Sequence, residues 1–108
     1  TCFFSMMYVP KRDRGQVIAE AKRVLKPSKN MIFWEAVIPP KEPDDPAVFV
    51  VPMEISLPGG STISTSYGVP WKSQDHNLDD YLEIAESNEL IVEHTETHEN
   101  WFKLIVRK

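Results

Sequence analysis

The sequence predicts an α/β protein whose sheet contains parallel strands and ends in an antiparallel pair. An apolar run, an amphipathic stretch and a second apolar run follow one another within residues 1–38. A Gly-Gly turn then separates two strand-like runs, and the chain closes with two more apolar runs joined by a polar turn. The first three segments have the form of a βαβ unit, in which a helix connects two parallel strands.

The first strand and the first helix are predicted from their apolar patterns. The segment from Cys2 to Val9 is almost entirely apolar, which is typical of a strand buried on both faces of a parallel sheet. After Pro10, the pair Asp13 and Gln16 has the form of a capping box at a helix start. An apolar stripe with helical spacing follows, and Pro27 ends it. The stripe consists of Val17, Ile18, Ala21, Val24 and Leu25.

The middle of the chain reads as a strand followed by an insertion. Residues 31–38 form a second apolar run and predict a buried strand. Residues 39–46 contain four of the nine prolines and predict a loop. Residues 48–57 and 61–69 are β-type runs around Gly59-Gly60, and because glycine tolerates positive φ angles they predict a β-hairpin. We therefore expect one domain over residues 1–108, with residues 39–76 as an inserted loop and hairpin.

The last third of the chain predicts a helix and two antiparallel strands. Asn77 can cap the helix, and Asn88 is a residue type that ends helices in the left-handed conformation. The apolar face of this helix carries Leu78, Tyr81, Leu82 and Ala85. Residues 90–95 and 101–106 then predict two strands, which the short turn between them makes antiparallel.

One stretch carries a family resemblance. Glu20-Ala-Lys-Arg-Val-Leu-Lys-Pro27, followed by Asn30-Met-Ile-Phe-Trp-Glu35, resembles the helix-to-strand junction in the C-terminal half of class I S-adenosylmethionine-dependent methyltransferases. That helix follows the family's fourth strand and ends in a sequence like RVLKPGG. Ser28-Lys29 replace the two glycines here, and we expect Asn30 to take the left-handed conformation. Residues 81–86, 90–93 and 101–106 look like the last helix and final antiparallel pair of the same fold.

The resemblance implies a partial Rossmann-like methyltransferase sheet and a function. The family binds S-adenosylmethionine on a glycine-rich turn after its first strand, because such a turn lets the backbone approach the ligand. This chain has four glycines, and none follows a strand in a G-x-G arrangement. The resemblance thus implies the C-terminal part of a larger enzyme that methylates a small-molecule acceptor. The isolated chain is expected to bind the donor weakly or not at all and to be inactive.

An alternative function starts from the first strand. Without its usual neighbours, the strand from Cys2 to Val9 would lie at a sheet edge with unpaired backbone groups. Such an edge can pair with the missing N-terminal half or with a second copy of the chain. The alternative is therefore a non-catalytic, dimerising interaction module derived from a methyltransferase half-domain.

Candidate site residues follow from the position of ligands beyond the carboxyl ends of strands in open α/β sheets. Met6, Met7 and Tyr8 leave the first strand and are expected near the methyl donor, with plain core packing as the alternative for the methionines. Trp34 and Glu35 leave the second strand on the acceptor side. Glu35 is either a buried general base or a surface carboxylate.

The inserted hairpin adds two aromatic candidates. Tyr67 and Trp71 flank Gly68 and Pro70, which is consistent with a lid over a small acceptor and equally with the edge of a hairpin that covers the sheet. We assign no catalytic residue, because methyl transfer can proceed by placing the nucleophile in line with the donor methyl group.

Composition excludes several other classes. A net charge of −4 argues against a nucleic-acid footprint, and the Lys11, Arg12 and Arg14 group reads as a solvated helix start. No apolar run approaches the ~20 residues of a membrane span. The single Cys2 excludes an internal disulfide and favours a cytoplasmic location.

Two further groups of reactive residue types are expected to be inert. His94, Glu96 and His98 are metal-ligand types at alternate positions, but they fall at a polar turn, so we expect exposed side chains and no metal. Cys2 has no basic neighbour in the sequence that would stabilise a thiolate, so we expect an unreactive core residue.

Overall fold

A computed structural model describes residues 1–71 and 75–108 of the chain. Within these ranges the chain forms a four-stranded mixed sheet, a separate two-stranded hairpin and two α-helices, so the predicted α/β class is confirmed. The elements in chain order are β1 (Cys2–Phe3), a short 3-10 helix (Met6–Tyr8), α1 (Lys11–Val24), β2 (Asn30–Ala36), β3 (Val48–Ser56), β4 (Thr62–Pro70), α2 (Leu78–Ser87), β5 (Ile91–Thr97) and β6 (Trp101–Arg107).

The main sheet has the strand order β1-β2-β6-β5. β1 is parallel to β2, with Cys2 opposite Phe33 and Phe3 opposite Trp34, and α1 connects the two strands. β6 lies between β2 and β5 and is antiparallel to both. The sheet therefore combines a βαβ unit with an antiparallel pair at the C-terminal end of the chain.

The first strand is shorter than the sequence predicts. The prediction of a strand over residues 2–9 is wrong, because β1 ends at Phe3. The next residue, Phe4, has a φ of 47° in the left-handed region. The next two backbone N–H groups turn away from the sheet and donate to the Glu35 carboxylate. The expected burial on both faces is also wrong, since β1 lies at the sheet edge and Phe3 is 54% exposed.

Helix α1 begins one turn earlier than predicted. Pro10 precedes its first turn, and neither a capping box nor any side-chain cap forms at this end. Asp13 lies in the first turn, where its charge is favourable beside the positive end of the helix dipole. Ile18 is buried, but Val17 and Val24 of the predicted stripe are exposed, so the buried face of α1 is narrower than the predicted stripe.

The turn after α1 also differs in detail from the expectation. Ser28, with a φ of 65°, takes the left-handed conformation that we expected at Asn30. Asn30 instead opens β2 and pairs with Arg107 of β6. The left-handed turn after α1 is therefore made by a serine, without glycine.

The predicted β-hairpin is present. β3 and β4 pair along their whole length, and Gly60 in the turn has a φ of 84°. The insertion leaves and returns beside the end of β2, where Ile38 and His76 exchange two backbone hydrogen bonds of 2.8 Å. Residues 72–74 of the predicted insertion 39–76 lie outside the described residues.

Helix α2 begins as predicted and ends differently. Asn77 accepts a hydrogen bond from the Asp80 N–H at 3.0 Å, which caps the helix. At the other end Asn88 is not left-handed, because its side chain donates to the Ile84 carbonyl and Glu89, with a φ of 52°, makes the turn. β5 and β6 form the predicted antiparallel pair, with an irregularity between Val92 and His94.

Both helices pack on the same face of the sheet and form the main core. This core contains Met6, Ile18, Met31, Phe33, Tyr81, Ala85, Leu90, Phe102, Leu104 and Val106. Side chains alternate between the two faces of a strand, so the residues between these ones on β2 and β6 point the other way. We call that second surface the open face; it carries Phe3, Trp34, Trp101, Lys103 and Ile105.

Membrane spanning was excluded from the sequence on the length of its apolar runs. Over residues 1–71 and 75–108, neither helix has the length and apolar character needed to cross a bilayer.

Candidate functional site

The inserted hairpin packs against the end of β2 through its own small apolar cluster. Val51 of β3 and Val69 of β4 contact Met7, Ala36 and Ile38, and all five side chains are buried. Four half-buried side chains surround them, namely Phe4, Phe49, Tyr67 and Trp71. The hairpin is therefore held above the carboxyl end of β2, where an open α/β sheet places its ligands.

A cleft of about 320 Å³ lies between β3 and the open face at this end of the sheet. Its volume is at the lower end of the range for small-molecule sites, roughly 300–1,000 Å³. Its lining residues are Phe4, Trp34, Ala36, Val37, Phe49, Val51, Pro52, Met53, Glu54, Asn100 and Trp101. We refer to it as the aromatic cleft, because four of its walls are aromatic rings.

Trp34 is at the centre of the aromatic contacts. Its ring centroid lies 5.9 Å from those of Phe3 and Phe4 and 5.5 Å from that of Trp101. The Lys103 ammonium group lies over the same ring, 5.9 Å from the centroid. Tilted and edge-to-face ring pairs at such distances are favourable, so the Trp34 side chain is fixed in place although it is 38% exposed.

Glu35 points to the opposite face and is fully buried. Its Oε1 accepts hydrogen bonds from the backbone N–H groups of Ser5 at 3.3 Å and Met6 at 3.2 Å. Burial raises the pKa of this carboxyl, and the two N–H groups and the Cys2 thiol act against that rise. Glu35 thus holds the segment that follows β1. Of the two readings of this residue, the surface carboxylate is wrong.

His76 and Tyr81 form a second buried polar pair beside Glu35. The His76 Nδ1 lies 2.7 Å from the Ala36 carbonyl oxygen, and its Nε2 lies 2.7 Å from the Tyr81 hydroxyl. A carbonyl can only accept, so Nδ1 carries the proton and Nε2 accepts from Tyr81. Burial lowers the pKa of His76 to about 4 and raises that of Tyr81, so both side chains are neutral at neutral pH.

Arg14 completes the buried polar group. Its guanidinium is 2% exposed and donates to the carbonyl oxygens of Val9 and Asp75, each at 3.2 Å. A carboxylate oxygen of Asp80 lies 3.7 Å away. The expectation of a solvated basic group is therefore wrong for Arg14, which instead connects α1 to the start of α2.

The predicted donor residues lie after β1, as expected from their order in the chain. Met6 is buried in the main core and Met7 in the hairpin cluster. Tyr8 is half exposed, and its hydroxyl donates to the Gly68 carbonyl of β4 at 3.3 Å. Met7 and Tyr8 also line a smaller cleft of about 100 Å³, and Arg14 is another of its lining residues.

The predicted acceptor residues are divided by the fold. Trp34 lines the aromatic cleft, whereas Glu35 lies on the other face of the sheet. Trp71 packs on Phe49 with centroids 5.0 Å apart and donates its Nε1–H to the Pro39 carbonyl. The Tyr67 hydroxyl is buried without a hydrogen-bond partner among the described residues, and burial raises its pKa.

The two histidines near the last turn both lie close to the Glu96 carboxylate. His98 lies 2.9 Å from the Glu96 carboxylate and stacks on Trp101, while His94 is 4.0 Å from the same carboxylate. No group of three metal-ligand side chains with suitable geometry occurs within the described part of the chain. His98 lowers the pKa of Glu96, and both side chains are partly exposed.

Sequence reasoning missed most of the buried polar group and, of the four rings of the cleft, all except Trp34. Arg14 lies four residues before Ile18, so its helical spacing placed it on the buried stripe. For Phe49 and Trp101 no local signal existed, because they meet only when the hairpin folds back over the sheet.

A scan of protein-family models and a search of curated proteins gave no match to this chain.

The buried imidazole predicts a specific loss of stability in acid. Since the folded pKa of His76 is depressed, its stabilising contribution is present above pH ~6.5 and is lost as the pH falls toward 4. The loss should reach roughly 3 kcal/mol of unfolding free energy, from about 2.5 pKa units. We expect urea unfolding to show this loss in the wild type and a much smaller one in His76→Asn. The exposed His94→Asn variant should behave like the wild type; an equal loss in His76→Asn would contradict the assignment.

Glu35 predicts a pH dependence of opposite sign. Its raised pKa means that the ionised form is less stable in the fold, so protonation restores stability as the pH falls from 7 toward the unfolded value near 4.5. Glu35→Gln keeps an acceptor for the two N–H groups and does not titrate. The unfolding free energy of Glu35→Gln minus that of the wild type should therefore fall between pH 7 and pH 4.5. The exposed Glu54→Gln variant is the control, and a difference that grows in acid would refute the assignment.

Proposed function

We propose that this chain is the C-terminal half of an S-adenosylmethionine-dependent methyltransferase that acts on a small-molecule acceptor. The observation that carries the proposal is the parallel pairing of β1 with β2 across α1, in one sheet with the antiparallel pair of β5 and β6. This is the arrangement implied by the resemblance of Arg23-Val-Leu-Lys-Pro27 and the strand that follows it. A Rossmann-like identity of the sheet is part of the same proposal.

The aromatic cleft supports the acceptor side of the proposal. It lies beyond the carboxyl end of β2, and the hairpin shields it from one side. Its walls are fixed by ring contacts, which suits a reaction that depends on holding the acceptor in line with the donor methyl group. In this proposal Trp34, Phe49 and Trp101 position the acceptor.

The donor side of the proposal uses the residues after β1. The Glu35 carboxylate fixes the backbone of Ser5 and Met6, and Tyr8 ties the same segment to the hairpin. Met7 and Tyr8 face the smaller cleft and would contact the donor there. The glycine-rich loop is expected from the other half of the enzyme, because Gly15 lies within α1 and the other three glycines lie in the hairpin.

The two halves of the proposal are tested by calorimetric titration with S-adenosylmethionine. The 108-residue chain should show no micromolar affinity, whereas the product of the complete coding region should bind the donor and transfer its labelled methyl group to a small molecule of a deproteinised cell extract. Trp34→Ala in the complete product should reduce transfer without loss of donor binding. Val24→Ala, exposed on α1, is the control.

Two results would count against this proposal. Micromolar donor binding by the chain alone would contradict the assignment of the donor loop to another segment. Absence of donor binding by the complete product would refute the methyltransferase function itself.

The exposed edge of the sheet favours a second candidate function, a dimerising interaction module. The outer side of β1 pairs with no strand in the described ranges, and Phe3 beside it is the most exposed aromatic of the open face. This edge is only two residues long, rather than residues 2–9, so the apolar side chains would contribute more than backbone pairing.

Light scattering at high protein concentration tests this second function. A dimer is expected for the wild type and a monomer for Phe3→Lys, because the charge would be buried in the interface. Val24→Lys places the same charge on an exposed valine of α1 and should leave the dimer intact. A monomeric wild type would exclude the module.

A further inference from the structure

The aromatic cleft has walls suited to a flat ligand. Phe4, Trp34, Phe49 and Trp101 contribute four rings from four separate parts of the chain. Phe4 and Trp101 both contact Trp34, while Phe49 faces them from β3. Aromatic walls favour ligands that present a ring or a positive charge to the ring faces.

The charge of the cleft distinguishes between these ligands. Glu54 is the only ionisable side chain that lines the cleft in the described part of the chain. Asn100 adds an uncharged polar group on the opposite wall. A carboxylate residue among the lining of an aromatic cleft, with no lysine, arginine or histidine beside it in the described lining, favours a positively charged ligand over a neutral or negative one.

The structure already contains a cation against one of these rings. The Lys103 ammonium lies 5.9 Å from the centroid of Trp34, within the distance at which cation–π attraction operates. Lys103 does not line the cleft, and its cross-strand partner is the carboxylate residue Glu96. Lys103 thus lies on the open face beside the cleft, with a carboxylate residue next to it on β5.

We infer that the aromatic cleft binds an organic cation that carries an aromatic ring and an ammonium group. As an acceptor class this inference rests on the proposed function, since it identifies the occupant of the cleft with the methyl acceptor. The binding itself needs no methyl donor. The volume of about 320 Å³ admits one ring with a small substituted ammonium group.

Three probes of similar size separate charge from shape. Phenyltrimethylammonium is the cation, tert-butylbenzene is its neutral isostere and benzenesulfonate is the matched anion. We expect the cation to bind the chain about tenfold more tightly than the neutral isostere, and the anion to bind most weakly.

The three tryptophans provide a site-specific readout. Trp34 and Trp101 line the cleft. The Trp71 indole N–H donates a hydrogen bond to the Pro39 carbonyl, and Trp71 is not among the residues that line the cleft. In nitrogen-15-labelled protein, the cation should shift the indole N–H signals of Trp34 and Trp101 and leave that of Trp71 nearly unchanged. These shifts also give the dissociation constants.

Matched variants test each wall. Glu54→Gln should remove the preference for the cation over the isostere, and Glu42→Gln, an exposed loop change outside the cleft, should not. Phe4→Ala should weaken cation binding several-fold, while Phe3→Ala should not, although both rings contact Trp34 at the same distance. Because Glu54 is exposed, the Glu54→Gln variant should fold, and it tests the inference even if Phe4→Ala does not fold.

The inference fails if the isostere or the anion binds as tightly as the cation, or if no probe at millimolar concentration shifts the Trp34 and Trp101 signals. Because these experiments contain no methyl donor, such a result would contradict the ligand class only. The methyltransferase proposal is tested separately by the titration with S-adenosylmethionine. Conversely, if the cation binds but the complete product transfers no methyl group, the ligand class would be supported and the methyltransferase proposal contradicted.

Discussion

The structure depends on one fixed point, the end of β2. There Ile38 and His76 pair through their backbones, and the neutral imidazole of His76 joins the Ala36 carbonyl to the Tyr81 hydroxyl. This point fixes where the inserted hairpin leaves the sheet and where the chain turns into α2. Each bond is fully buried, so loss of one partner would leave an unpaired polar group at a cost of roughly 1–3 kcal/mol.

The alternation of side chains along β2 divides the molecule into two sides with different roles. Trp34 faces the aromatic cleft, and Glu35, one residue later, faces the helices and holds the backbone after β1. The same strand therefore lines the aromatic cleft on one side and a group of buried polar side chains on the other. A general base in the cleft is not available from Glu35, because a period of two places it behind the sheet.

This division separates the buried polar side chains from the aromatic cleft. The side chains of Arg14, Glu35, His76 and Tyr81 are buried, and each makes a hydrogen bond to the backbone or to another of the four, so they stabilise the carboxyl ends of β1 and β2 without using side chains of the cleft. The cleft in turn presents mainly apolar rings with one carboxylate. Under the proposed function, such a cleft would position the acceptor and would supply no general base, as suits a reaction that needs placement more than proton transfer.

The sequence by itself determined the order and type of most elements, because local patterns are sufficient for them. The apolar runs of β2 and β6, the Gly59-Gly60 turn and the Asn77 cap act within a few residues, and each was predicted. The predicted length of the first strand was too great, because the apolar residues Met6–Tyr8 form a 3-10 helix instead. Glu35, distant in the sequence, stabilises that helix. Only the tertiary structure decided that His76 is buried, which carbonyl groups Arg14 contacts, and that Phe49 meets the open face beside Trp34 and Trp101, since these contacts join segments far apart in the chain. Local periodicity can indicate that a residue faces inward, but it carries no information on which distant residue it will contact there.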